Sequence, residues 1–232
     1  MAKLDAIQLL AATDLFAGLP EAELEALRPA LRMRRYAKDE HVFREGDPGS
    51  HLYLVASGQV KIGRIGAGGS EIVFALVGPG EVFGELSLFE PDGERSADAI
   101  TLEPTECALL ARDAALAFLL RHPELLLRVI AGLIAYIERK DRAMAEVSFL
   151  DIPGRIAQRL LDLAASKGEP AAGGVLIRVP LSQRTLAAMV GASRENVNRA
   201  LNRFVELGYI TQSHGTITVL RPEELRRRAS AH

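Results

Sequence analysis

Two hydrophobic rhythms divide the chain. From Tyr36 to Leu110 the apolar positions come in short alternating or continuous runs: His51–Ala56, Val60–Ile65, Glu71–Leu76, Ala99–Thr101 and Cys107–Ala111. Gly or Pro turns at Gly46, Gly58, Gly66–Gly69 and Gly78–Gly80 break them up. Many short strands at roughly ten-residue spacing predict an antiparallel sandwich or barrel. On both sides the rhythm is helical. Residues 5–12 and 20–31 read as short helices, the second opened by Pro20, with Glu21, Glu23 and Glu25 where carboxylates suit the helix dipole.

After Arg112 the helical period returns, and His122-Pro123 opens a helix that reaches about Leu150. Leu126, Ile130, Leu133, Ile137, Met144 and Val147 recur at heptad spacing, with Lys140 the one polar residue on that seam. A stripe this narrow and sustained predicts pairing with a second copy of the same helix. Asp151-Ile152-Pro153 interrupts the chain, with Asp151 suited to cap a helix that runs to about Lys167. A loose loop at Gly168–Gly174, a strand at Val175–Val179, two short helices around Gly191, and strands at Tyr209–Thr211 and Thr216–Leu220 turned at His214-Gly215 complete the pattern. The chain is thus α+β, with boundaries expected near residues 121 and 151.

Composition sharpens this division. The 232 residues carry a net charge of −2, yet residues 152–232 hold 12 Lys and Arg against 6 Asp and Glu, and residues 1–151 hold 16 against 24. An acidic front and a basic back point to two domains, the basic one facing a polyanion. The apolar run Val129–Ile137 is too short to span a bilayer, and the first thirty residues lack a basic-then-apolar leader, so no membrane association and a cytoplasmic location are expected. Cys107 stands alone, which excludes an internal disulfide and argues against an iron–sulfur sensor. His41, His51, His122, His214 and His232 show no metal-ligand spacing, and no Ser or Cys has a visible base partner. No metal and no enzymatic activity are expected.

The basic segment carries one motif with clear chemistry. Ser182 caps a helix that includes Gln183 and Arg184, Gly191-Ala192 supplies a turn, and Ser193 caps a second helix from Arg194 to Leu207. Val197, Leu201 and Phe204 must face a core, which leaves Arg194, Glu195, Asn198, Arg199, Asn202 and Arg203 outside. An Arg fork matches the two acceptors of guanine, and a carboxylate accepts from the amine of cytosine, so this face is suited to reading double-stranded DNA. The stretch Gly191-Ala192-Ser193-Arg194-Glu195-Asn196-Val197-Asn198-Arg199 resembles the family of the cAMP receptor protein (catabolite activator) and the fumarate-and-nitrate-reduction regulators, cAMP receptor branch. The resemblance implies that Arg194, Glu195 and Arg199 contact bases in TGTGA-like half-sites of a palindrome, and that Ser182, Gln183 and Arg184 touch phosphates. It also implies a homodimer, with Ile130, Leu133, Ile137, Met144 and Val147 in its interface, and RNA polymerase as a partner.

A second motif, Phe83-Gly84-Glu85-Leu86-Ser87-Leu88-Phe89-Glu90-Pro91-Asp92-Gly93-Glu94-Arg95-Ser96-Ala97, offers a Gly that permits close backbone approach, an Arg and a hydroxyl. Such a set suits a phosphate, although a surface ion pair on a strand–turn–strand would look the same. The stretch resembles the phosphate-binding cassette of cyclic-nucleotide β-rolls. That resemblance implies that Glu85 holds the ribose 2′-hydroxyl and Arg95 the cyclic phosphate, with Gly84, Leu86, Ser96 and Ala97 completing the site. Phe149-Leu150-Asp151-Ile152-Pro153-Gly154-Arg155-Ile156-Ala157 is similar to the family's hinge.

The expected layout is a jelly-roll-like cyclic-nucleotide domain over 1–121, a dimerisation helix and hinge over 122–151, and a winged helix-turn-helix over 152–232. The expected effector is cAMP. One departure stands out: Lys140-Asp141 occupies the place where cAMP-binding members carry Thr-Ser or Thr-Asn against the base. Lys140 can donate to an adenine ring nitrogen or to guanine's carbonyl, and Asp141 can accept adenine's amine. Lys140 can equally snorkel from the seam or pair with Asp141 of a second copy. A differently liganded regulator (cGMP, for example), a ligand-independent one, and a regulatory subunit that never touches DNA are the rivals. The Arg194, Glu195 and Arg199 face argues against the last.

Overall fold

A computed structural model of the chain describes residues 6–66, 70–89, 93–213 and 215–230. Residue 5, most of the turn expected at Gly66–Gly69, the motif positions Glu90, Pro91 and Asp92, and the histidines His214 and His232 lie outside the described residues. The chain divides into two compact units, Met1–Gly66 with Phe74–Tyr136, and Ala67–Val73 with Ile137–His232.

The first unit is built on two four-stranded sheets. One has the order β1 (Leu31–Tyr36), β8 (Thr105–Ala111), β3 (His51–Ser57), β6 (Val82–Phe83). The other has β2 (His41–Phe43), β7 (Asp98–Thr101), β4 (Val60–Ile65), β5 (Glu71–Val77). The ladders β1–β8, β3–β8 and β4–β7 are antiparallel.

Strands β3 and β8 carry apolar residues on both faces, and their period-2 alternation sorts these into two cores. Leu52, Leu54, Ala108 and Leu110 join Ile7 and Leu10 of α1 (Ala6–Ala11), Leu24 of α2 (Glu21–Leu24), and Phe118 and Leu119 of α4 (Arg112–Arg121). Tyr53, Val55, Cys107 and Leu109 point the other way and pack with Tyr36, Phe43, Phe83 and Ala99 inside the roll. Each fully buried Leu or Phe contributes about 1.5–3 kcal/mol relative to exposure.

The helix expected over 20–31 is shorter than the sequence suggests. After Leu24 it tightens into a 3₁₀ turn over Glu25–Ala30, and Leu31 begins β1. Pro29 cannot donate to an α-helical ladder, which accounts for the break. A one-turn helix α3 (Leu86–Phe89) lies in the second motif. The buried Cys107 thiol is pushed up to about 12 by its desolvation, so it is packing rather than reactive chemistry.

The long helix α5 (Pro123–Phe149) begins in the first unit and ends in the second. Asp151 then caps α6 (Ile152–Lys167), accepting from the Gly154 amide at 2.9 Å. The second unit continues through β9 (Gly168–Ala171), β10 (Gly174–Ile177), α7 (Gln183–Val190), α8 (Arg194–Glu206), β11 (Ile210–Ser213), β12 (Thr216–Val219) and α9 (Pro222–Ser230). Its sheet order is β11-β12-β10-β9. The expected loop at Gly168–Gly174 is therefore an edge strand and turn, β9 pairing with β10. Ile156, Leu160, Ile177, Leu186, Val197, Leu201, Phe204, Ile217 and Leu225 are all buried.

Candidate functional site

In the first unit the motif from Gly84 to Ala97 converges on Arg95. Its side chain is only 4% exposed. The guanidinium donates to the carbonyl of Gly84 at 2.9 Å, to Ser87 Oγ at 2.8 Å and to the carbonyl of His51 at 2.6 Å. It lies over the Phe43 ring, 4.2 Å from the centroid, and 5.3 Å from that of Tyr53. Its Nε is buried without a hydrogen-bond partner among the described residues. Burial lowers the Arg95 pKa from its ordinary value, while Tyr53, Glu85 and Asp47 oppose the shift. Arginine nevertheless stays charged. The result is a buried cation that donates, among the described residues, to two carbonyls and a hydroxyl and also interacts with the Tyr53 side chain. Such a charge is stabilised by an anion.

The backbone around it is built for close approach. Gly84 has φ +80°, and a Cβ there would meet Arg95 Nη1 at 2.6 Å and a Tyr53 ring carbon at 3.3 Å. Only glycine sits there without strain. Glu85 and Leu86 are half-buried, Ser96 is exposed and Ala97 is buried. This donor set fits a phosphate: a guanidinium with an N–H unpartnered among the described residues, a neighbouring hydroxyl and a glycine cradle. Ser87 and His51 were not among the residues expected to matter. Ser87 lies inside the motif and donates onward to the Gly84 carbonyl at 3.1 Å, a bond that sequence spacing does not reveal. Burial, then the Arg95 charge, lowers the His51 imidazole below its ordinary range.

On α5 the apolar residues Leu127, Ile130, Ile134, Ile137, Met144 and Val147 are exposed, each by half or more. They share Ile130, Ile137, Met144 and Val147 with the expected seam. Leu126 turns instead toward the first unit's core, and Leu133 is half-buried. Lys140 is half-buried and Asp141 is exposed.

In the second unit, Ser182 accepts from the Thr185 amide at 3.0 Å and Ser193 from the Asn196 amide at 3.2 Å, so both expected caps form. Gly191 takes the left-handed conformation, φ 64°, between α7 and α8. Val197, Ala200, Leu201 and Phe204 are buried, and Arg194, Glu195, Asn198, Arg199, Asn202 and Arg203 form the exposed face. Arg203 is paired with Glu206 at 3.1 Å. Arg184 is exposed and pairs with Glu71 Oε2 at 3.6 Å, and Gln183 donates to Asn198 Oδ1 at 2.8 Å and so ties α7 to α8. Arg155 donates to the Val190 carbonyl at 2.8 Å, capping the C-terminus of α7 with a positive charge. Its place in the chain, 35 residues away, hid that role.

Among the described residues no group of three or more His, Cys, Asp or Glu side chains could hold a metal ion, and no helix is long and apolar enough to cross a membrane.

Comparison with known proteins falls on the same two sites. Residues 33–122 match the cyclic nucleotide-binding domain model, and residues 154–228 match the Crp-like helix-turn-helix domain model. A CRP-like cAMP-activated global transcriptional regulator of Mycobacterium tuberculosis is 35% identical over 222 residues, covering 96% of this chain and 99% of that protein. The cyclic AMP receptor protein of Thermus thermophilus is 36% identical over 207 residues, covering 89% and 92%. Among solved structures, the c-di-GMP responsive global regulator CLP of Xanthomonas campestris superposes with a TM-score of 0.73 at 27% identity, covering 86% of this chain and 99% of that one.

Proposed function

The chain belongs to the CRP-like family of DNA-binding transcription regulators with a cyclic nucleotide-binding domain, and from that premise we propose that it acts as a homodimer whose grip on palindromic, TGTGA-like half-sites is raised by cAMP. The observation that carries the effector reading is Arg95, a buried guanidinium beside the Gly84 cradle whose Nε has no hydrogen-bond partner among the described residues. A cyclic phosphate is the anion that suits this guanidinium, and Glu85 accepts from the ribose 2′-hydroxyl. The exposed apolar stripe on α5 is the surface that a second copy covers. Arg194, Glu195, Asn198 and Arg199 read base edges, and Arg184 contacts phosphate.

Control follows from a difference in affinity. Nucleotide bound at Arg95 favours one arrangement of the two α5 helices, and the segment from Phe149 to Pro153 sets the spacing of the two α8 helices. Two-fold symmetry puts them about 34 Å apart on DNA. The protein works in the cytoplasm and engages RNA polymerase from its promoter site. A second reading, an effector with a different base, is favoured by Lys140-Asp141, because a lysine donor suits guanine's carbonyl. Calorimetry with cAMP and with cGMP on the purified protein tests the choice. Tighter binding of cAMP supports the first reading, tighter cGMP the second, and heat from neither contradicts both.

A further inference from the structure

The hydrogen bond between Gln183 and Asn198 bears on how α8 reads DNA. An asparagine amide has an acceptor on one side and two donors on the other. Left to rotate, it can present both to adenine, accepting from N6 and donating to N7. Here rotation is restrained, because Gln183 Nε2 holds Asn198 Oδ1 at 2.8 Å. What Asn198 then offers is its Nδ2 donors. It sits four residues after Arg194 on the same exposed face of α8, and both side chains project from that face.

We infer that Gln183 is a positioning residue for base specificity: it fixes the Asn198 amide so that this residue donates to the base edge, favouring guanine or thymine over cytosine. The inference rests on α8 being the reading helix proposed above. Guanine N7 and O6 and thymine O4 accept hydrogen bonds in the major groove, whereas cytosine shows only an amine there. Gln183 therefore acts through Asn198 and differs from a phosphate contact, which carries no sequence information.

The test uses the full-length protein with saturating cAMP and a duplex selected by the wild type from random sequence. Competition gel shifts over all single-base-pair variants give the preference at each position. Asn198→Ala locates its base pair as the position where preference flattens. Gln183→Leu should reduce the preference there to less than about twofold, from about fivefold or more in the wild type. Gln183→Glu goes further. A carboxylate only accepts, so it takes the Nδ2 donors and turns Asn198 Oδ1 toward the groove, and the preference at that pair should invert toward the amine-bearing bases, cytosine and adenine. Position 183 is the first residue of α7, where a carboxylate suits the helix dipole, so this variant keeps the fold. Its added charge weakens every duplex alike and leaves the ratios interpretable.

If both Gln183 variants leave the preference at the Asn198 pair unchanged, or only weaken all duplexes equally, the inference is overturned while the Arg194 and Arg199 positions still discriminate. If no position discriminates in the wild type, the assignment of α8 as reader falls and takes the Gln183 inference with it.

Discussion

The guanidinium of Arg95 is stacked 4.2 Å above the ring of Phe43 while one of its N–H groups donates to the Gly84 carbonyl at 2.9 Å. The aromatic face and the glycine backbone hold the charge in a fixed place before any ligand arrives. Gly84→Ala disturbs this directly, since the added Cβ meets Arg95 Nη1 at 2.6 Å and the backbone has φ +80°. A cost of about 1–3 kcal/mol in urea unfolding is expected, with weaker nucleotide binding by calorimetry. Unchanged stability would mean that the turn relaxes freely.

The cap of α6 gives a prediction about acid. Burial raises the Asp151 carboxyl, but hydrogen bonds from Arg228 and the Gly154 amide outweigh this and hold it below the usual carboxylate range. A carboxylate with a depressed folded pKa stabilises the fold above its unfolded value, near pH 4, and that stability is lost as pH falls through the folded value. Asp151→Asn keeps a capping oxygen and should flatten the acid limb of stability against pH. Asp151→Ala should cost about 0.5–2 kcal/mol at neutral pH as well. Thermal melts from pH 2 to 7 check both, and identical acid limbs for wild type and Asp151→Asn would contradict the assignment.

The stripe on α5 makes a prediction about assembly. Leu127, Ile130, Ile134, Ile137 and Met144 follow a heptad step that passes through Asp141 rather than Lys140. Asp141→Leu should therefore strengthen self-association by sedimentation more than Lys140→Leu does, because it restores an apolar residue to the exposed line. The reverse order would return the seam to Leu126, Leu133 and Lys140.

Base and phosphate contacts separate under salt. Arg194→Ala and Arg199→Ala should each cost about 1–3 kcal/mol on cognate DNA and relax one base pair per half-site. Arg184→Ala should weaken cognate and random DNA alike, and in a dimer should shallow the slope of log affinity against log salt by about two units. Glu195→Ala should raise affinity for random DNA while losing preference at the C·G pair it reads. Uniform losses across all site variants would remove the reader role from α8.

Much of this was legible in the sequence where a local rule decided the outcome. The caps Ser182 and Ser193, the left-handed Gly191 and the buried Val197, Leu201 and Phe204 follow from residues a few positions apart. Strand β1 was hidden because its sequence, Leu-Arg-Met-Arg-Arg-Tyr, is half arginine and buries only its two ends. Helix α9 was hidden because it anchors through Leu225 alone among strongly polar residues. The cage around Arg95 was half legible: the motif pointed to Gly84 and Arg95. His51, which supplies a carbonyl from 44 residues away, is brought near by the pairing of β3 with β6, which sets Tyr53 opposite Phe83 at the start of the motif.

The most direct test of cyclic-nucleotide control is DNA binding with and without effector. Affinity for a duplex with two TGTGA half-sites is measured by fluorescence anisotropy, with and without saturating cAMP, for the wild type and for Arg95→Ala. The expected result is that cAMP raises wild-type affinity and leaves the Arg95→Ala protein, still folded and dimeric, unresponsive. Equal wild-type affinities in both conditions, or an Arg95→Ala protein that responds as the wild type does, would contradict it.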